Sequence, residues 1–232
     1  MYSHNHYALV FVVVSCLFLT YTNSKFRIIN GVDWHIARSP YIVSVNYSSA
    51  AHCVGSLITS QRVVTAAHCV HHLDVNLFTI IAGVTDFRDS SVSGQSLLME
   101  DAFYPCDFSP GTGDMDIAVI KTVGYFILSG GVDLIQLCPC PLNPDTEVRV
   151  SGWGWTTARN GNSSPRLQST ILKIISMDEC NNRHSLHGTT LTDAMFCAAS
   201  PGSDTSKGDS GSPGVVNERL CGVASRNLAV AA

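Results

Sequence analysis

Residues 204–213 read DTSKGDSGSP, Asp204 to Pro213, and set Ser210 between Gly208 and Gly211. Glycines in such a turn let the backbone amides of Gly208 and Ser210 converge on one point, the arrangement that stabilises an oxyanion. A serine hydroxyl is a poor nucleophile at neutral pH. It needs a neighbouring base, usually histidine, and the histidine needs an acid to set its tautomer and stabilise its cation. Two other stretches offer those parts. TAAHC, residues 65–69, ends a small-residue strand on His68, and GDMDIAVIK, residues 113–121, puts Asp116 just before an apolar strand. Singly, His68 suits a satisfied core histidine and Asp116 a strand cap. Jointly the three stretches point to nucleophilic catalysis.

Outward from these residues, the chain reads as β structure. YIVSVNY (41–47), RVVTAA (62–67), LFTIIAGV (77–84), DIAVIK (116–121), EVRVSGW (147–153) and LCGVAS (220–225) are short apolar runs broken by turn residues. Their spacing suits barrels or sandwiches, and no long amphipathic helix is visible. The proline-rich CPCPLNP (138–144) divides the chain into two unequal pieces. The 232 residues are 45% hydrophobic and 14% charged, with formal charge −4, which fits one or two compact units. No basic run suggests nucleic acid or an anionic membrane. Asn46-Tyr47-Ser48 and Asn162-Ser163-Ser164 are glycosylation sequons, expected on surface loops.

Ala8 to Leu19, ALVFVVVSCLFL, is an uncharged run of 12 residues, shorter than the roughly 20 a bilayer span needs. It fits the core of a secretory signal peptide with cleavage near Ser24, although His4 and His6 stand where Lys or Arg is usual. The competing reading is a buried helix opening a cytosolic domain. Losing the first 27 residues removes Lys25 and Arg27 and no acid, taking the charge from −4 to −6. Eight cysteines then remain, an even set that suggests disulfides in a secreted chain. Zinc is the rival, but Cys138-Pro139-Cys140 has the wrong spacing for a knuckle.

Together TAAHC, DIAVIK, SGWG and GDSGSP resemble the trypsin/chymotrypsin family of serine endopeptidases, from Ile28 to about Ser225, in that family's order of His, Asp and Ser. The resemblance implies an all-β, trypsin-like fold of two six-stranded antiparallel barrels, about 28–138 and about 145–232. A signal peptide (1–24) and an activation peptide (25–27) would precede them. It implies His68 as general base, Asp116 as its orienter and Ser210 as nucleophile, with the amides of Gly208 and Ser210 as oxyanion hole. Cleavage between Arg27 and Ile28 would free an amine that pairs with Asp209, because a buried carboxylate needs a partner. Asp204, six residues before Ser210, would hold an Arg or Lys side chain, and Ser225 would support Asp116 and begin the substrate-binding strand. Disulfides Cys53–Cys69 and Cys180–Cys197 would match family pairs. Two family bridges are lost: one falls on Val148 and Val216, the other has Ser206 at one end. Cys106, Cys138, Cys140 and Cys221 allow three pairings, which stay open.

The position after Ile80-Ile81-Ala82-Gly83 is Val84 rather than an acid, so no calcium, other metal or cofactor is expected. The expected partners are protein or peptide substrates, an activating protease and protein protease inhibitors, with the chain acting as a monomer. The resemblance also implies a Trp-Gly pair, a loop, a strand and a helix after GVASR. Here Arg226 and Asn227 stand at the pair and the sequence stops at Ala232, so the second barrel is expected to be incomplete. Three readings follow: a secreted trypsin-like zymogen, a non-catalytic homologue acting as a binding or regulatory module, or a poorly folding fragment.

Overall fold

The computed structural model describes residues 31–89, 94–139, 142–154, 164–184, 191–200 and 209–225. Six strands close a barrel in the order β2-β3-β4-β7-β6-β5, every neighbouring pair antiparallel. They are β2 (Ile42–Tyr47), β3 (Ala50–Thr59), β4 (Arg62–Thr65), β5 (Phe78–Ala82), β6 (Gln95–Phe103) and β7 (Ala118–Thr122). The remaining strands build a second, seven-stranded sheet in the order β1-β10-β9-β12-β13-β8, with β11 also on β10. These are β1 (Val32–Asp33), β8 (Gln136–Leu137), β9 (Glu147–Gly152), β10 (Gln168–Ile175), β11 (Cys197–Ala199), β12 (Pro213–Val216) and β13 (Arg219–Val223). One short helix, Met177–His184, separates β10 from β11. Among the described residues this second sheet is open, and β8 runs parallel to β13. None of the described helices is long and apolar enough to cross a membrane.

The period-2 alternation of a strand explains how the barrel and the second sheet are joined. On β5, Phe78, Ile80 and Ala82 are buried and their neighbours are not, so one face fills the first barrel. On β2, β3 and β4 both faces are buried. Val43, Val45, Leu57 and Val63 enter the first barrel's core, whereas Ile42, Val54 and Val64 join a second core with Val215 and Leu220 of the other sheet and with Trp153 and Leu167, which flank its strands β9 and β10. Each fully buried Val, Leu or Ile contributes about 1.5–3 kcal/mol, so this shared core is a large, non-directional contribution to holding the two sheets together.

Residues 1–30, which hold the proposed signal peptide, Arg27 and Ile28, lie outside the described residues. So do Cys140, Asn162, Asp204, Ser206, Gly208 and residues 226–232. The Asn46 sequon needs correction: Asn46 is not on a loop but within β2, half-buried, its Oδ1 accepting from Ser44 Oγ at 2.7 Å. Ser48 and Ser49 have φ of 49° and 66°, a two-residue hairpin turn of mirror type that lets the strand run on to Tyr47.

Candidate active site

His68 sits in a single 3-10 turn, Ala67–Cys69, directly after β4. Ala66 and Ala67 are fully buried, so the chain turns tightly against the barrel wall. Asp116 lies just before β7, which pairs with β4, and strand pairing alone therefore brings the two segments together. The contact is threefold. The His68 amide donates to Asp116 Oδ1 at 2.8 Å, satisfying an N–H that the short turn leaves without a partner. The ring Nδ1 meets Oδ2 at 2.7 Å, and Ser225 Oγ donates to the same oxygen. A carboxylate facing Nδ1 makes it the proton-bearing nitrogen and leaves Nε2 to act as a base.

Burial pushes the Asp116 carboxyl up, but the bonds from the His68 ring, the Ser225 hydroxyl and the His68 amide, with the His68 charge, pull it below its usual value. Asp116 is thus an anion at neutral pH although its side chain is only 4% exposed, while that of His68 is 35% exposed. His52 is a different histidine. Its Nε2 meets the Cys69 carbonyl at 3.1 Å, and burial, outweighing that bond, lowers its pKa and keeps it neutral.

Ser210 comes from the second sheet. The Val54 amide donates to its carbonyl at 2.8 Å, so the nucleophile turn rests on β3 of the first barrel. Gly211 has φ +78°, and a Cβ there would strike the Val54 carbonyl and the Thr65 hydroxyl. The turn is tied to Ser225 through its neighbour: the Gly211 amide donates to the Ala224 carbonyl at 2.7 Å and the Ala224 amide to the Ser212 carbonyl at 2.8 Å. His68, Asp116, Ser210 and Ser225 therefore share one network of two sheets. Among the described residues no hydrogen bond joins His68 Nε2 to Ser210 Oγ, a contact that commonly tightens only when substrate binds. Asp209 is fully buried and accepts from the Gly154 amide at 2.9 Å.

The structure joins Cys53 to Cys69 beside His68 and Cys180 to Cys197. Of the four cysteines left open by the sequence, Cys138 bonds Cys221, while Cys106 is exposed and unbridged. Val148 and Val216 share one buried cluster. Among the described residues, Cys53, His68 and Cys69 form a group with ligand atoms within 4.8 Å of one another, but the disulfide leaves no thiolate for a metal. Sequence reading missed Thr65, whose hydroxyl donates to the Val54 carbonyl at 2.7 Å beneath Gly211. It also missed Asp114 and Thr192, which bond across the sheets. The second acid of Gly113-Asp114-Met115-Asp116 was a visible signal; nothing local marks Thr192.

The family model for trypsin matches residues 28–231. The chain belongs to the trypsin family. Trypsin alpha-4 of Lucilia cuprina is 32% identical over 200 residues, 86% of this chain and 76% of that protein. A trypsin of Sarcophaga bullata is 32% identical over 221 residues, covering 93% and 85%. Among solved structures, the scabies mite inactivated protease paralogue S-D1 matches with a TM-score of 0.80 and 28% identity over 87% of each chain. The trypsin family is one of serine proteases, whose substrates are proteins.

Proposed function

We propose that this trypsin-family chain is an active, secreted serine endopeptidase that cleaves after Arg or Lys and is made as a zymogen opened between Arg27 and Ile28. The observation that carries the catalytic reading is the Asp116 carboxylate, which grips the His68 ring and amide from one side while Ser225 holds it from the other. In that reading Ser210 Oγ attacks the substrate carbonyl carbon and its proton passes to His68 Nε2. His68 then gives the proton to the leaving amine, whose bond to the carbonyl carbon breaks. Water repeats the sequence on the acyl-enzyme, and the freed hydroxyl returns to Ser210. Asp116 stays ionised and offsets the imidazolium charge. The amides of Gly208 and Ser210 receive the oxyanion, each such donor lowering the barrier by about 3 kcal/mol.

Specificity for Arg or Lys rests on Asp204, at the family register six residues before Ser210, where a carboxylate attracts a cationic side chain and pairs with Arg bidentately. Zymogen activation is supported by Arg27 preceding Ile28 and by the buried Asp209 carboxylate, for which a new amine is a partner. Secretion is supported by the apolar run Ala8 to Leu19 and by three disulfides, which reducing compartments disfavour. The inactivated protease among the solved relatives favours a second reading, a non-catalytic homologue. Retention of His68, Asp116 and Ser210 in this chain weighs against it.

The test is to cleave the secreted protein after Arg27 and offer it Arg- and Phe-containing ester substrates, with a serine-directed phosphonate as label. The expected result is Arg-selective turnover and phosphonate on Ser210, both abolished in S210A. Neither turnover nor label would leave the non-catalytic reading.

A further inference from the structure

Among the described residues, two side-chain hydrogen bonds cross from the second half of the chain to the loop that carries Asp116. One is from Ser225 to Asp116. The other joins residues that the triad does not use: the Thr192 hydroxyl donates to Asp114 Oδ1 at 2.6 Å, across a sequence separation of 78. Thr192 precedes β11, and Asp114 lies two residues before Asp116. The same Asp114 oxygen accepts the Met115 amide at 3.0 Å, the Asp114 amide donates to Thr112 Oγ1 at 3.2 Å, and its carbonyl takes the Ser109 amide at 3.1 Å. Between the two acids, Met115 has φ +54°. A side-chain-bearing residue in that region costs about 1–3 kcal/mol and persists only where its surroundings over-determine it. Here the restraint comes from both sides, through Asp116 and through Asp114.

We infer that Asp114 and Thr192 are positioning residues, Thr192 clamping the strained Asp114–Met115–Asp116 step from the segment ahead of β11 through Asp114, and so hold the Asp116 carboxylate in line with His68. A loop held only by its own barrel could relax Met115 toward ordinary backbone angles. Relaxation would rotate the next residue, Asp116, away from His68 Nδ1. The segment ahead of β11 thereby tunes the triad without touching its reacting atoms. The catalytic consequence rests on the protease reading; the alignment of Asp116 with His68 does not.

The experiment compares T192V, T192S, D114A and D114N in the secreted chain after cleavage behind Arg27. Two quantities are read: the far-downfield proton resonance of His68 Nδ1–H, and kcat and KM on a small Arg ester. T192V keeps the shape and removes the hydroxyl; T192S and D114N keep a donor and an acceptor. A hydrogen bond to a charged group is worth a tenfold effect or more, and part of it is recovered by relaxation. T192V and D114A should therefore lower kcat about fivefold to tenfold, leave KM within about twofold, and broaden or shift the resonance. T192S and D114N should stay near wild type. If D114A fails to fold, the near-isosteric T192V carries the comparison. Wild-type resonance and kcat in T192V would overturn the inference, as would T192S being as impaired as T192V, since the loss would then follow packing. If the resonance responds as expected while the wild type turns over no substrate, the clamp stands and the protease reading falls.

Discussion

Asp116 is buried, which opposes its charge, and holds three hydrogen bonds that favour it. The bonds win, and this balance yields two predictions. Replacing it with asparagine keeps the size but no longer enforces the tautomer with its proton on Nδ1, so kcat of D116N should fall about 10⁴-fold with folding intact. Steady-state kinetics beside a thermal melt checks this. The second concerns pH. The folded carboxyl titrates below its unfolded value of about 3.9, so its stabilisation is fully present above that pH and disappears as pH falls through the lowered folded value. The stability gap between wild type and D116N should therefore narrow in acid. A gap that does not change with pH would mean that the charge contributes nothing. The residue types of the triad were legible because each occurs in a compact local pattern. The supporting roles of Thr65 and Thr192 were not, because a hydroxyl that bonds a distant group has no local signature; Asp114 stood in view beside Asp116, but its partner did not.

At the scale of the element, the nucleophile turn is a graft of one sheet onto the other. Ser210 leans on Val54 of β3, and Gly211 fits beneath the Val54 carbonyl and the Thr65 hydroxyl in a left-handed conformation. G211A combines backbone strain with a clash against main chain, and it should cost about 2–4 kcal/mol. Urea denaturation reads this as a lower midpoint at similar slope; an unchanged midpoint would mean the turn is looser than its contacts indicate. YIVSVNY, RVVTAA, LFTIIAGV and EVRVSGW contain the observed strands β2, β4, β5 and β9, and DIAVIK and LCGVAS overlap β7 and β13 to within one residue. Strands β1, β3, β6, β8, β10, β11 and β12 were not singled out. In β6 exposed positions predominate and a bulge between Met99 and Asp101 breaks the alternation that pattern reading needs.

Across the whole molecule, the triad depends on two sheets keeping their register. The shared core around Ile42, Val54, Trp153 and Leu167 supplies the non-directional part. The Cys138–Cys221 disulfide acts within the second sheet, fixing the end of β8 to β13 two residues from the exit of that strand toward Ser225. The bridge closes a long loop, with a sequence separation of 83. Replacing both cysteines with serine should lower stability by about 2–4 kcal/mol, measured as the shift in unfolding free energy. An equal stability would mean that hydrogen bonds and packing alone hold β8 on β13.

Local chemistry written along the chain was enough to tell strand from helix, to nominate His68, Asp116 and Ser210, and to place the chain in its family. Turn residues, period-2 runs and the Gly-flanked serine act over a few residues and are visible within them. Which cysteine pairs with Cys138, why β8 lies parallel to β13, and how Thr192 reaches Asp114 depend on contacts between segments tens of residues apart. Those contacts exist only once the two sheets have packed and excluded water, and no window of sequence encodes a distance in space.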